Sequence, residues 1–221
     1  GFLPSFRVDN NSTYRSIYTS IISFGNVGIR QLNFYGCSNI TSLSSITDLE
    51  GLSRVVLFDN TFRETGISSI PNGFFDYAVS AESFTSTFTF TNITSIPNNL
   101  FDNCTNVSIF SSTFNACFSL ATVPDEIFRF NTGVVNFSSC FRNCRALTNI
   151  PTFQYNTIVT TFANIFNMSS TTNQSSQWEV NEALWLRSPE PLGTNAFNNC
   201  TGIGTNPAST YAFADIPFNW K

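Results

Sequence analysis

Histidine is absent from this 221-residue chain, lysine occurs once, as Lys221, and charged side chains make up only 11% of the residues. Without His, neither a Ser-His-Asp nor a Cys-His arrangement can be assembled from this sequence. Lys221, at the last position, is badly placed for a Ser-Lys pair. Ten basic residues against fourteen acidic ones leave a net charge of −4. No basic run occurs, so the counterion release that drives nucleic-acid binding has no source and no nucleic-acid partner is expected. No apolar run approaches the roughly 18 residues of a membrane-spanning helix. No C-x-x-C pair is present, and with His also missing neither a metal site nor a cofactor site is expected.

Polarity comes instead from Asn, Ser and Thr. Such a surface is common in proteins displayed outside a cell, and an extracellular, bacterial-surface location is the expectation. The chain opens on Gly1 and not on Met. This reads as the scar of a cleaved tag with any secretion signal already removed, or as the C-terminal piece of something longer.

What the sequence has in quantity is Phe, 25 of them, and they recur in register. Pro97–Pro124 and Pro124–Pro151 superpose landmark by landmark. Val107, Phe110, Phe114, Cys117, Leu120 and Val123 become Val134, Phe137, Phe141, Cys144, Leu147 and Ile150. Upstream units run through Val55, Phe58 and Phe62, and through Ala81, Phe84 and Phe88. A first unit reads Val27, Arg30 and Phe34, with Arg30 where a Phe is expected. Val159, Phe162 and Phe166 begin a sixth unit, and Phe197, Cys200 and Ile203 are a fragment of a seventh.

Self-similarity at this period marks stacked supersecondary units. Two Phe columns are expected to pile ring on ring, each buried Phe contributing roughly 1.5–3 kcal/mol. The fold class expected is an α/β solenoid: a leucine-rich-repeat-like stack of about six to seven rungs of 25–28 residues, parallel β with short helical turns. Extended segments fall at Val-x-x-Phe and Ile/Leu-x-x-Ile-Pro, with a helical turn or corner at Phe-x-x-Cys-x-x-Leu.

Residues 1–26 do not repeat. Asp9 to Ser12 offer N-caps, and Tyr14, Ile17, Tyr18, Ile21 and Ile22 recur at helical spacing, so an N-terminal helical cap is expected. Residues 27–221 form the repeat region, with insertions near 168–195 and 204–215. Ser169 to Ser176 reads as an exposed loop. Trp178 to Arg187 has helical spacing and ends at Pro189, and Trp220 falls where a last rung would be sealed.

Six cysteines in an exported chain usually mean disulfides. Here Cys37, Cys117, Cys144 and Cys200 share one column, where a small buried apolar side chain fits a tight turn. Reduced, buried thiols are therefore expected, although adjacent rungs would also bring Cys117 near Cys144.

The string Phe-x-x-Cys-x-x-Leu-x-x-Ile-Pro resembles the repeat of BspA-type leucine-rich-repeat proteins, and more closely its Phe-rich relatives in gut-bacterial and mycoplasma surface lipoproteins. Phe114, Cys117, Leu120, Val123 and Pro124 carry the likeness, with Phe141, Cys144, Leu147, Ile150 and Pro151. The resemblance implies a surface-displayed protein that binds other proteins or glycans.

Catalytic signals are few. Glu179 with Glu182, and Asp125 with Glu126, are acidic pairs of the kind a glycosidase needs across a cleft, but any acidic chain offers such pairs, and a non-enzyme is expected. Gly202-x-Gly204 lacks any phosphate-loop context. Asn-x-Ser/Thr triplets at Asn39, Asn92, Asn103, Asn106 and Asn199 read as turn-forming Asn and not as glycan acceptors.

No catalytic, cofactor or metal residue is assigned. The ligand-binding face is best sought at the variable positions Ser108, Ile109, Val135, Asn136, Thr160 and Thr161. Trp178 and Trp185 could form an aromatic platform for sugar or could seal the rung below. The expected function is a non-catalytic, monomeric cell-surface binding or adhesion module for a host or bacterial surface protein or glycan. The alternatives are a structural spacer in a longer surface protein and a trimeric phage-tail receptor-binding domain.

Overall fold

The computed structural model describes residues 5–8, 12–25, 28–168, 178, 180, 182–203, 205 and 207–221. It corrects the expected fold class. Among the described residues the longest helical piece is the five-residue 3-10 segment Glu50–Arg54, and the one sheet pairs β1 (Ser5–Arg7) with β2 (Gln31–Asn33). This is not an α/β solenoid of leucine-rich-repeat type with six to seven rungs, because the described residues lack the helices and most of the strands that would define one.

The reason lies in where the backbone hydrogen bonds go. From Phe58 to Glu64 every second N–H points sideways: Phe58, Asn60, Phe62 and Glu64 donate to the carbonyls of Ser83, Thr85, Thr87 and Thr89, each at 2.9 Å. The intervening N–H groups of Thr61, Arg63 and Thr65 turn back to the carbonyls of Phe58, Asn60 and Phe62, at 3.1–3.3 Å. The same alternation recurs over 84–90, 110–116, 137–143 and 162–168. Half the groups make local turns and half make lateral bonds, so neither helix nor strand can propagate.

The alternation needs left-handed residues. Asn60, Ser86, Ser112, Ser139, Asn164 and Asn195, and four positions further on Glu64, Phe90, Ala116, Asn143 and Asn199, all have φ between 55° and 63°. A non-glycine residue in this region costs roughly 1–2 kcal/mol. Lateral bonding on both sides offsets that cost and satisfies backbone groups that burial would otherwise strand.

Residues about 26 apart consequently lie side by side. Single parallel bridges run Gln31–Leu57–Ser83–Ile109–Asn136–Thr161–Leu192, with one more between Ser95 and Thr122. Rings meet face to face: Phe58–Phe84, Phe84–Phe110, Phe110–Phe137 and Phe137–Phe162 have centroids 4.9–5.9 Å apart and planes within 7°. Phe34, Phe62, Phe88, Phe114, Phe141 and Phe166 form a second column at 5.5–6.1 Å.

A third column was not foreseen. Phe75, Phe101, Phe128 and Phe153 stack at 5.9–6.1 Å and meet the first column at a steep angle, as Phe101 does Phe110 at 4.8 Å. Offset and edge contacts of this kind add to simple burial. The first unit also sits in a different register. Gln31 pairs with Leu57, so buried Leu32, not Arg30, precedes Phe58 in its column.

All six cysteines are free and buried. The position that Cys37, Cys117, Cys144 and Cys200 share is not merely apolar. Three residues after the second Phe stand Thr65, Thr91, Cys117, Cys144 and Cys200, and each side chain donates to a Phe carbonyl. Thr91 Oγ1 reaches Phe88 O at 2.8 Å, and Cys117, Cys144 and Cys200 Sγ reach Phe88, Phe114 and Phe166 O at 3.1–3.2 Å.

The ends are closed differently from expectation. The N-terminal helix, α1, is only Ser12–Arg15. Tyr14, Ile17 and Ile22 are exposed and only Ile21 of the anticipated face is buried. The first pass is covered instead by β1, through parallel pairing and the Phe6–Phe34 contact at 5.1 Å.

The anticipated loop 169–176 lies outside the described residues. Of the anticipated helix at 178–187, the described part holds a single 3-10 turn, Leu184–Leu186, and Trp178 and Trp185 are buried. Trp178 Nε1 donates to Leu147 O at 2.8 Å. Trp220 is fully buried against Gly193, near Phe162 and Trp185.

Candidate functional site

The six variable positions singled out from sequence fall in two neighbouring columns of one face. Ile109, Asn136 and Thr161 are the bridge residues. Ser108, Val135 and Thr160 belong to the adjacent column, Arg30–Val56–Glu82–Ser108–Val135–Thr160. Each N–H in it donates to the preceding carbonyl at 2.8–3.0 Å. Of the six variable positions all but Thr160 are partly buried, and Glu82 beside them is exposed. A groove of about 450 Å³ opens on this face between Arg30 and Ser108.

Beside it runs a network of short side chains. Asp59 accepts from Ser83 Oγ at 2.6 Å and from Thr85 N at 3.2 Å, and Asn136 Oδ1 accepts from both Ser138 N and Ser138 Oγ. The Asp59 bonds tie neighbouring passes together, those of Asn136 fix its own turn, and the face is held in place.

A larger cavity, about 680 Å³, lies beside Pro151 and Glu182. Two carboxylates line it, Asp125 and Glu182, and that of Glu182 is already engaged, accepting the Phe153 N–H at 2.9 Å and forming an ion pair with Arg187. Glu179 and Gly204 lie outside the described residues. Glu126 is likewise held, by Arg129 at 3.1 Å and by the Tyr155 hydroxyl at 2.9 Å. That bond, keeping the proton on the phenol, raises the Tyr155 pKa.

Asp102 is also raised, first by desolvation and then by the nearby Asp76 carboxylate, against a smaller opposing effect of Arg129. Burial holds the thiols protonated: Cys104 and Cys117 are pushed up to about 12, and Cys37, Cys140, Cys144 and Cys200 are also raised.

The tryptophans offer no platform, because Trp178 and Trp185 face the core. The amides of Asn103, Asn106 and Asn199 donate to the carbonyls of Asp76, Val79 and Met168, 27 to 31 residues earlier. That of Asn39 donates to the carbonyl of Ser16.

Sequence reasoning overlooked the exposed rings. Phe90 and Phe118, 47% and 44% exposed, meet edge to face at 6.0 Å, and the Arg145 guanidinium lies 4.8 Å from the Phe118 centroid. Phe130 is 46% exposed with Arg129 over it at 5.3 Å. The available signal was that Phe90 and Phe118 fall outside every buried column. Among the described residues no helix is long and apolar enough to cross a membrane. No protein-family model matches the chain, and no curated protein is similar to it in sequence.

Proposed function

We propose that this protein is a non-catalytic binding module that engages a protein or glycan outside the cell and works as a monomer. The observation that carries the reading is Phe90. Its backbone is left-handed, φ 58°, at a position held elsewhere by Glu64, Ala116, Asn143 and Asn199. A bulky residue there is an outlier, and the ring gains little burial in return. Neither backbone preference nor core packing favours Phe at 90. Paired with Phe118 and beside Arg145, it forms an exposed aromatic–cation patch suited to a partner surface. The protonated, buried thiols suit an oxidising exterior, since the thiolate is the reactive form.

The test is binding of the purified protein to an array of glycans and extracellular-matrix proteins, beside the double variant Phe90→Asn/Phe118→Asn. The parent is expected to retain at least one ligand and the variant to lose it with its melting temperature undiminished. A parent that binds nothing supports a spacer, equal binding by both proteins removes the patch from the site, and a trimer on a sizing column overturns the monomeric module.

A further inference from the structure

Arg30 stands at the head of the column that runs on to Val56, Glu82 and Ser108. Its carbonyl is used, accepting from Val56 N at 2.8 Å. Its guanidinium is not: Nε is buried without a hydrogen-bond partner, and none of the ion pairs among the described residues includes it. A buried, unmatched donor on a cationic group is costly and calls for an explanation. Glu82, two passes along, is in no ion pair among the described residues either. Two passes separate these charges by about 10 Å, too far for them to neutralise each other directly. Val56, 6% exposed, lies between them in the groove of about 450 Å³.

The remaining lining residues have spent most of their side-chain donors. Ser80 Oγ donates to Ser53 O at 2.8 Å, Asn106 Nδ2 to Val79 O at 2.9 Å, and Ser108 Oγ to Glu82 O at 3.4 Å. Acceptors are left: Asn106 Oδ1, two hydroxyl oxygens and the Glu82 carboxylate. One cationic fork beside several acceptors complements a ligand with one anionic group and several O–H donors. The planar guanidinium matches a carboxylate in two-point geometry. No lining residue is aromatic, so the anchor pockets that dominate protein–protein recognition are missing here.

We propose that this groove is a subsite for a carboxylate-bearing sugar of the uronic- or sialic-acid type, gripped by Arg30, with Glu82 and Asn106 accepting from sugar hydroxyls. The subsite shares no residue with the Phe90–Phe118 patch and stands or falls separately from it.

Titration of the full chain with sodium glucuronate and with N-acetylneuraminate, followed by the amide shifts of Ser80, Glu82 and Ser108, tests the assignment. Glucose and glucuronate methyl ester are the controls. Both acids are expected to bind and both neutral sugars to bind at least about tenfold more weakly, the loss of one charge-assisted pair. Arg30→Gln is expected to lose binding to a similar extent, and Arg30→Lys to recover part of it. Glu82→Gln, at an exposed position, should weaken binding without touching the core. Phe90→Asn/Phe118→Asn should leave uronate binding unchanged, which separates failure here from failure of the module reading.

Acids and neutral sugars binding alike, no binding of either acid, or a folded Arg30→Gln protein with undiminished affinity would each overturn the subsite. So would a Glu-rich peptide that displaces glucuronate at lower concentration, since the groove would then serve an acidic protein segment.

Discussion

Arg187 donates from Nη1 to the main-chain oxygen of Asn156 at 2.8 Å and from Nη2 to that of Phe153 at 2.7 Å. It thereby does for the last member of a column what asparagine does for the others. Asn131 Nδ2 bonds the carbonyls of Phe101 and Cys104, and Asn156 Nδ2 those of Phe128 and Asn131. Where the next Asn would fall the pattern is interrupted, and a guanidinium fork from the following segment takes over.

Removing that fork leaves two carbonyls short of a donor and the Glu182 carboxylate without its cation. Arg187→Met is expected to cost about 2–4 kcal/mol. Arg187→Lys should recover only part, because one ammonium cannot hold both carbonyls and the carboxylate in fixed geometry. Urea unfolding checks this, with the midpoint falling and the slope unchanged.

Gly193 is equally constrained. A Cβ there would lie 1.9 Å from atoms of the Trp220 indole, whose Nε1 donates to Glu190 at 3.1 Å. Gly193→Ala is therefore expected to displace the indole and cost at least about 1–3 kcal/mol. The emission of Trp220 should shift to the red while Trp178, held on Leu147 O, stays buried.

Much of the side-chain arrangement was readable from spacing, and little of the backbone was. A repeat of 26 or 27 residues aligns Phe110 with Phe137 and Phe114 with Phe141, and those rings do touch. The third column, Phe75, Phe101, Phe128 and Phe153, keeps the same spacing of 25 to 27 residues and was equally legible. The expectation of α/β elements failed at Ser86, Ser112, Ala116 and Ser139. Nothing in those side chains announces a left-handed backbone, which Gly or Asn would have signalled. The donor role of the Cys column was hidden because threonine fills the same position at 65 and 91, and only the carbonyls they reach show that both serve as donors. Arg30 was placed in a ring position because the first unit is shorter between its columns than the rest.

Thr91 and Cys117 both donate to Phe88 O, Thr91 from three residues on and Cys117 from the next pass. Cys117→Thr is expected to change stability by less than about 1 kcal/mol, since a hydroxyl at this position turns to the carbonyl three residues back, here Phe114 O, as those of Thr65 and Thr91 do to Phe62 and Phe88. Cys117→Leu overfills the same fully buried site and should cost about 1–3 kcal/mol. Parallel melts of the two variants separate a requirement for a donor of that size from a general preference for apolar bulk.

Asp102 supplies a pH signature. Its pKa is raised in the folded state by desolvation and by Asp76, so the folded chain holds this proton more tightly than the unfolded chain. Stability attributable to Asp102 is thus full below the ordinary carboxylate pKa and is lost as pH rises through the raised value. Asp102→Asn should flatten the melting temperature across that interval and leave the neutral-pH protein slightly more stable. A steeper profile in the variant would contradict the assignment.

Phe90 tests whether a binding surface is maintained at the expense of stability. Left-handed backbone is unfavourable for a bulky residue by roughly 1–2 kcal/mol, and Asn tolerates it far better. Against this stands the loss of one edge contact with Phe118, about 0.5–1.5 kcal/mol for a buried pair and less where both rings are near half exposed. The backbone effect is the larger, so Phe90→Asn is expected to raise stability by a few tenths of a kcal/mol up to about 1 kcal/mol. Ala116→Asn, at the equivalent position with a small buried side chain, should gain less, because Ala116 is already part of the core and its replacement brings a polar amide inward. Should Phe90→Asn prove clearly destabilising, the ring would be serving the fold, and the argument that it is kept for a partner would fail.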